Sequence, residues 1–270
     1  MSRRRPFPGN CNTLVAVSLL VAVPALAAED ELITDRPDQT ESSEVVQAGQ
    51  VQVEIGFTRS IDDEARVETT TDSGPETLVR IGLARNFELR LGFVGYQWKK
   101  VDPDGASIVE SDGPADTNIG FKLKLADEKG HRPAIALIAG TTLPTGDAEF
   151  STDDPDPAIR ATFANTLTDR LSIGYNAGVA WTSEEDADRL SRFEWTAALG
   201  IAASDRVGFY VELFGDAALS DSGGPANSFN GGLTWLVRDN VQLDLALGVG
   251  LSDAADDGYA GVGVSFRLPR

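Results

Sequence analysis

The sequence predicts an all-β protein, a transmembrane antiparallel up-and-down β-barrel of about twelve strands. Three observations predict it: apolar and polar side chains alternate along many segments, the connections between these segments are alternately short and long, and acidic residues concentrate in the long connections. Successive side chains of a strand point to opposite faces. An alternating segment of about ten residues therefore has the length and the pattern of a tilted strand that crosses a bilayer.

The alternation is clearest in residues 158–181. Ile159 and Phe163 belong to an apolar set at every second position, and Val179 and Trp181 belong to a second set after the polar break at residues 168–170. Two alternating runs joined by a short polar turn predict a β-hairpin. The rest of the chain repeats this unit with different connections.

Ten further segments show the same alternation and complete the predicted set of strands. They are residues 51–57, 79–83, 87–93, 119–125, 133–142, 193–201, 207–213, 229–237, 241–249 and 260–268. The short turns centre on Asn86, Lys129, Asp169, Asp205 and Asp239. The long connections are residues 60–75, 98–116, 144–157, 182–191, 216–227 and 252–258. An even number of strands with short turns at one end is typical of bacterial outer-membrane barrels and places both termini in the periplasm.

Composition excludes several classes of function. The formal net charge is -19, so non-specific binding of nucleic acid is excluded, because contact with phosphates needs a basic surface. The only cysteine, Cys11, precedes the first apolar run, so the remaining chain has no thiolate for a metal or a disulfide. The single histidine, His131, lies in a predicted short turn, where a solvated residue is the expected role rather than a catalytic base. We therefore expect no enzyme, no cofactor and no metal site.

The N-terminal region precedes the barrel, which we assign to residues 49–270. Residues 1–27 predict a secretory signal peptide, with a basic start, an apolar core over residues 14–23 and a small-x-small cleavage pattern at residues 25–27. The alternative is a membrane anchor, but the core is too short to span a bilayer. Residues 28–48 are polar without a clear period. We expect a loose periplasmic tail there, and the alternative is a segment that folds into the mouth of the barrel.

Strand parity also predicts which side chains line the lumen. If the apolar set of each strand faces outward, the alternate set faces inward. This puts a basic wall on one side of the lumen, consisting of Arg80, Arg90, Lys122, Lys124 and Arg160. An acidic wall faces it, consisting of Glu54, Glu194, Glu212 and Asp244, while Glu88 is an acidic exception on the basic side. One interpretation is a narrow aqueous lumen whose two walls select solutes. The other is that these groups pair and fill the interior, as in small barrels.

Two motifs show a resemblance to a known family. Residues 34–41, with Asp35, Arg36 and Pro37 at the centre, precede the strand at residues 51–57. A second motif follows in mid-chain, at Leu143, Pro144, Thr145, Gly146 and Asp147. Together they resemble the family named for an outer-membrane component of phenol degradation by the meta-cleavage pathway. The resemblance implies an outer-membrane β-barrel, often labelled a transporter, with hydrophobic or aromatic compounds as candidate solutes.

The expected function is therefore a channel or transporter in the cell outer membrane for passive passage of small solutes. The alternative is a structural or surface-interaction protein of that membrane with a blocked lumen. The expected partners are outer-membrane lipid and lipopolysaccharide, small-molecule solutes and the barrel assembly machinery.

Overall fold

The computed structural model describes residues 32–103, 107–152, 154–183, 189–219 and 224–269. The predicted signal peptide, residues 1–27, lies outside the described residues, as do residues 28–31. Within the described ranges, no helix is long and apolar enough to cross a membrane.

Within the described residues, fourteen β-strands make up a single sheet. They are β1 (Val51–Glu64), β2 (Val67–Ala84), β3 (Phe87–Phe93), β4 (Tyr96–Pro103), β5 (Val109–Pro114), β6 (Thr117–Ala126), β7 (Ala134–Leu143), β8 (Asp156–Thr168), β9 (Leu171–Thr182), β10 (Leu190–Ser204), β11 (Val207–Ala218), β12 (Ala226–Arg238), β13 (Val241–Gly250) and β14 (Gly258–Leu268).

Twelve of these strands, β1 to β3 and β6 to β14, close into an antiparallel barrel. Each pairs with the next along the chain, except that β3 pairs with β6. The seam joins the first and last strands, from Val51 opposite Leu268 to Ile61 opposite Gly258. The predicted class and strand number are therefore confirmed. The predicted short turns are confirmed too, and they define one rim of the barrel, called here the short-turn end.

The remaining two strands form a hairpin beyond the opposite rim. β4 pairs with the outer half of β2, and β5 pairs with β4. The long connections predicted at residues 60–75 and 98–116 consist largely of β-structure, because β1, β2, β4 and β5 occupy most of both ranges. The sequence analysis did not predict these strands. Both faces of a strand beyond the membrane meet water, so no apolar alternation is required there. The β-branched run at Thr69, Thr70 and Thr71 favours a strand without that pattern.

The two faces of the barrel differ in polarity. On β13, Leu245 and Leu247 point outward and are exposed, whereas Asp244 and Ala246 point inward and are buried. The same alternation recurs around the barrel, and the largest fully buried side chains include Arg80 and Lys122. An apolar outer face around a polar interior reverses the arrangement of a water-soluble domain, and it is the arrangement of a barrel solvated by lipid.

Replacing Leu245 by Arg is expected to destabilise the barrel by about 2–4 kcal/mol, because a charge near the bilayer midplane loses its hydration. Val237→Arg, on the outward face near the short-turn end of β12, should lower the stability by only about 0–1 kcal/mol, because the arginine side chain can reach the membrane–water interface there. Denaturant titration of tryptophan fluorescence in lipid vesicles measures both. Equal costs at the two depths would contradict the membrane placement.

Candidate functional site

The N-terminal segment, residues 32–50, lies inside the barrel. It joins β1 at the short-turn end, where Gly49 N donates to Gly82 O at 2.9 Å and Gly82 N donates to Gln50 O at 3.0 Å. Within the segment, Ser43 is 1% exposed and Val46 is 3% exposed. The expectation of a loose tail is therefore wrong for the described residues. The physical reason is that the inward-facing cations of the barrel need counter-charges, and this segment supplies them.

Asp35 is the centre of this pairing. Its carboxylate lies 2.6 Å from Arg90 Nη1, 2.8 Å from Lys122 Nζ and 3.3 Å from Arg80 Nη1. Its backbone N–H donates to the Glu54 carboxylate at 3.0 Å. One carboxylate of the segment thus contacts three cations of the basic wall, from three different strands.

Two further carboxylates of the segment serve the rest of the basic wall. Glu41 lies 2.5 Å from Arg90 Nη2 and 3.1 Å from Arg160 Nη1. Glu44 lies 2.7 Å from Lys124 Nζ. Together with Asp35, these residues give every member of the basic wall an anionic partner from the segment.

The acidic exception on the basic side, Glu88, also has a partner. Its carboxylate lies 2.9 Å from Arg80 Nε, and it accepts a hydrogen bond from Val46 N at 2.7 Å. Glu54, from the acidic wall, lies 3.2 Å from Arg80 Nη1. Arg80 is therefore enclosed by carboxylates from the strands and from the segment, which is the arrangement that a buried guanidinium requires.

The segment places one cation on the opposite side of the lumen. Arg36 Nη2 lies 3.3 Å from Asp244 of the acidic wall, and Arg36 Nη1 lies 3.2 Å from Glu76. Its guanidinium packs over Gly56 and Gly263, which face each other across the barrel seam. A Cβ at either glycine would overlap the guanidinium, so the seam forms a slot for Arg36.

Of the other two members of the acidic wall, Glu212 has neutral partners from the segment and Glu194 has a cation of the basic wall. Glu212 accepts a hydrogen bond from Gln39 N at 2.9 Å and another from the Thr40 hydroxyl at 2.6 Å. Glu194 lies 2.7 Å from Arg160 Nη2. Asp38, contributed by the segment itself, forms no ion pair in the part of the chain that the structure describes. Every member of the basic wall thus has an anionic partner, whereas among the described residues Glu212 and Asp38 have no cationic partner.

The segment leaves space beside it. A cavity of about 380 Å³ separates residues 34–38 from strands β8 to β12 at the short-turn end. Its barrel side is built largely from small residues and hydroxyl groups, among them Ser172, Gly200, Gly208 and Thr234. The segment also contacts these strands, at Thr162 of β8, Thr196 of β10 and Glu212 of β11, so the space is confined to the lining residues at the short-turn end.

All the predicted lumen residues lie on the inner face of the barrel. However, the basic wall and the acidic wall do not face each other across a water-filled lumen, as the first interpretation predicted. The N-terminal segment lies between them. Sequence reasoning missed Glu41 and Glu44 as partners of the wall and Glu76 as a partner of Arg36. The sequence did contain a signal for these partners. The alternation along the strands predicts five inward-facing cations on one side of the lumen but only one carboxylate, Glu88, beside them. Buried cations need anions, so the missing anions had to come from elsewhere in the chain.

The comparisons with known proteins agree with this geometry. Residues 34–268 match the model of the family described as "Putative MetA-pathway of phenol degradation". The chain belongs to this family. The match begins in the N-terminal segment and ends in β14, so the part of the segment that pairs with the lumen lies within the matched range.

Solved structures show similarity at the level of the fold. An outer membrane channel from Pseudomonas putida F1 is 14% identical, with a TM-score of 0.65, and the match covers 84% of this chain and 98% of that one. The NanC porin is 10% identical, with a TM-score of 0.53 and coverage of 81% and 100%. The translocator domain of the autotransporter NalP from Neisseria meningitidis is 10% identical, with a TM-score of 0.51 and coverage of 81% and 88%. No curated protein matches the chain.

The mid-chain motif, residues 143–147, has a structural role here. The Asp116 carboxylate accepts hydrogen bonds from Thr145 N at 3.0 Å, Gly146 N at 2.9 Å and Thr152 N at 3.4 Å. A Cβ at Gly146 would lie 2.7 Å from Pro114 O, so this close approach requires glycine. The motif thus fixes the connection between β7 and β8 against the end of β5.

The ionised form of Asp116 is stabilised in this connection. Burial alone would raise the pKa of Asp116, but hydrogen bonds from the Ser151 hydroxyl and from the three backbone N–H groups outweigh it and lower the pKa. A lowered pKa in the folded state means that this stabilisation is present at neutral pH. It is lost as the pH falls through that lowered value.

Asp35→Asn is expected to destabilise the protein by about 3–5 kcal/mol, because it removes the shared anion from buried cations. It should also make residues 32–50 accessible to added protease. Denaturant titration and mass spectrometry of the digest measure these effects. The matched control is Asp72→Asn, which removes the exposed pair between Asp72 and Arg59 and should change stability little. Asp35→Asn behaving like this control would contradict the pairing.

Asp116→Ala is expected to release the connection between β7 and β8, because it leaves three backbone N–H groups without their acceptor. Proteolysis within residues 144–152 should accelerate about tenfold or more. Acidification of the unmodified protein below the lowered pKa of Asp116 should have the same effect, because protonation weakens the hydrogen bonds that the carboxylate accepts. Glu149→Ala, which removes a single exposed hydrogen bond with Ser111, is the control. Unchanged cleavage in Asp116→Ala would show that the carboxylate does not hold this connection.

Proposed function

We propose that this protein is an outer-membrane channel for the passive passage of small solutes. The observation that carries the proposal is the combination of a closed barrel, apolar outside and polar inside, with a cavity that the N-terminal segment leaves unfilled. In this arrangement the short-turn end faces the periplasm, and the β4–β5 hairpin extends from the outer surface. The apolar band contacts lipid, and the outer rim meets lipopolysaccharide. The barrel assembly machinery is the partner that we propose for its insertion.

The size of the side chains supports a passage on one side of the lumen. The inward positions of β9 and β10 include Gly174, Gly178, Ala198 and Gly200. Thr40 of the segment packs on Gly174, whereas Gly200 lines the space that stays open. The basic wall, by contrast, fills its side with long side chains that pair with the segment. A solute would therefore move along strands β8 to β12.

The solute class is narrowed by the family description and by the lining. The description names phenol degradation, so aromatic compounds are one candidate class. The nature of the lining favours small molecules with polar groups, because hydroxyl and backbone groups face the cavity. We assign no catalytic reaction to the site, since the single histidine, His131, is an exposed turn residue between β6 and β7.

A structural barrel with a blocked lumen is the second candidate, and the position of the N-terminal segment favours it. A segment bound by so many ion pairs could close the passage permanently. Conduction separates the two functions, because a blocked barrel passes no ions.

The refolded mature protein in a planar bilayer is expected to give small, stable conductance steps. Deleting residues 32–48 should enlarge these steps severalfold, because the segment occupies much of the cross-section at the short-turn end. Heat-modifiable migration on gels checks that both forms are folded. Silence from the folded full-length protein together with steps from the deletion form would favour the blocked barrel. Silence from both would overturn the channel.

A further inference from the structure

We propose that residues 34–36 of the N-terminal segment form an internal clasp that holds the barrel seam between β1 and β14 closed. This function is separate from conduction, because it concerns how the wall is held together and not what passes through the lumen. The clasp contacts strands on both sides of the seam, at two neighbouring rows of inward-facing positions.

The seam needs such support for two reasons. β1 and β14 are connected through all the other strands of the barrel rather than by a turn, so their pairing closes a long loop at an entropic cost. Within the seam, Gly56 pairs with Gly263, and both positions face the segment in the lumen. Cross-strand pairs of side chains stabilise a sheet, and glycine inside a strand weakens it. The two facing glycines therefore leave this row without a side-chain pair of its own.

The first row of the clasp has two glycines between two carboxylates. It crosses β2, β1, β14 and β13 in that order, at Glu76, Gly56, Gly263 and Asp244. Arg36 lies over the glycines, and its guanidinium reaches the carboxylates at both ends of the row, at 3.2 Å and 3.3 Å. The same guanidinium donates to Val262 O of β14 at 3.3 Å. One side chain thus joins β2 to β13 across the seam.

The neighbouring row, toward the short-turn end, is bridged as well. It consists of Glu54 on β1, Ser265 on β14 and Gln242 on β13. On one side of the seam, Asp35 N donates to the Glu54 carboxylate at 3.0 Å. On the other side, Gln242 Nε2 donates to the Thr34 hydroxyl at 2.9 Å. Two consecutive residues of the segment thus connect β1 with β13 across β14.

The chemistry of arginine suits the first row. A guanidinium is planar and donates several hydrogen bonds in different directions, so one side chain can engage both carboxylates of the row. The Asp244 side chain is fully buried, and a buried carboxylate needs a cationic partner. The glycines make this contact possible, because a Cβ at either position would overlap the Arg36 side chain. The register of the seam thus forms a slot that accepts arginine and orients it across the two strands.

Hydrogen–deuterium exchange of the refolded mature protein in lipid vesicles, measured by mass spectrometry of peptides, tests the clasp. Arg36→Ala should accelerate exchange of the β1 and β14 amides about tenfold or more, because the first row loses its charge-assisted hydrogen bonds. Exchange in β8 and β9, on the opposite side of the barrel, should stay unchanged. Thr34→Val should accelerate exchange at the seam about threefold, because one hydrogen bond to β13 is lost. Glu44→Gln is the matched control. It removes another ion pair of the segment, but Lys124 keeps Asp127 at 2.7 Å, so exchange at the seam should not change.

The pattern of exchange distinguishes a clasp from a segment that only fills the lumen. Faster exchange in β1 and β14 but not in β8 and β9 of Arg36→Ala, with Glu44→Gln unchanged, supports the clasp, whether or not the protein conducts. Unchanged exchange at the seam in Arg36→Ala would overturn it. Equal acceleration around the whole barrel, or an equal effect of Glu44→Gln, would also overturn it, because the segment would then act only by occupying the lumen. If Arg36→Ala does not fold, Thr34→Val decides by the same criteria.

Discussion

The structure depends on the need to compensate buried positive charge. Strands β2, β3, β6 and β8 direct long cationic side chains into an interior that is poorly hydrated, and removing water from a charge is costly unless an opposite charge replaces it. The strands themselves supply too few carboxylates on that side. The N-terminal segment supplies the others, with Asp35 shared among Arg80, Arg90 and Lys122. The barrel wall and the segment therefore stabilise each other.

This compensation is one-sided, and the asymmetry has functional consequences. The segment places its carboxylates against the basic wall and only one cation, Arg36, against the acidic wall, in the glycine slot at the barrel seam. A cavity remains beside the segment at the short-turn end of β8 to β12. The segment thus occupies part of the lumen and contributes one cation, Arg36, and one acid, Asp38, to the lining of the space that remains. In the channel that we propose, this remaining space limits the size of the solute.

The barrel could be predicted from sequence because lipid imposes a strict period-two pattern on every strand that it contacts, as in β13 from Leu243 to Val249. The same pattern also predicted which side chains face the lumen. The β4–β5 hairpin could not be predicted, because strands outside the membrane carry no such pattern. The segment was missed because its pairing is set by single charges spread over residues 35–44, without any period.

The position of the N-terminal segment is the central claim, and a cross-link tests it most directly. The Ser43 and Thr162 hydroxyl oxygens lie 3.1 Å apart, one on the segment and one on β8. The only native cysteine is Cys11, in the predicted signal peptide, so cysteines at both positions would be the only thiols of the mature chain. We predict that they form a disulfide on oxidation in intact outer membranes, detected by mass spectrometry of the joined peptides. Two free thiols, both labelled by a maleimide reagent in the folded protein, would contradict the account.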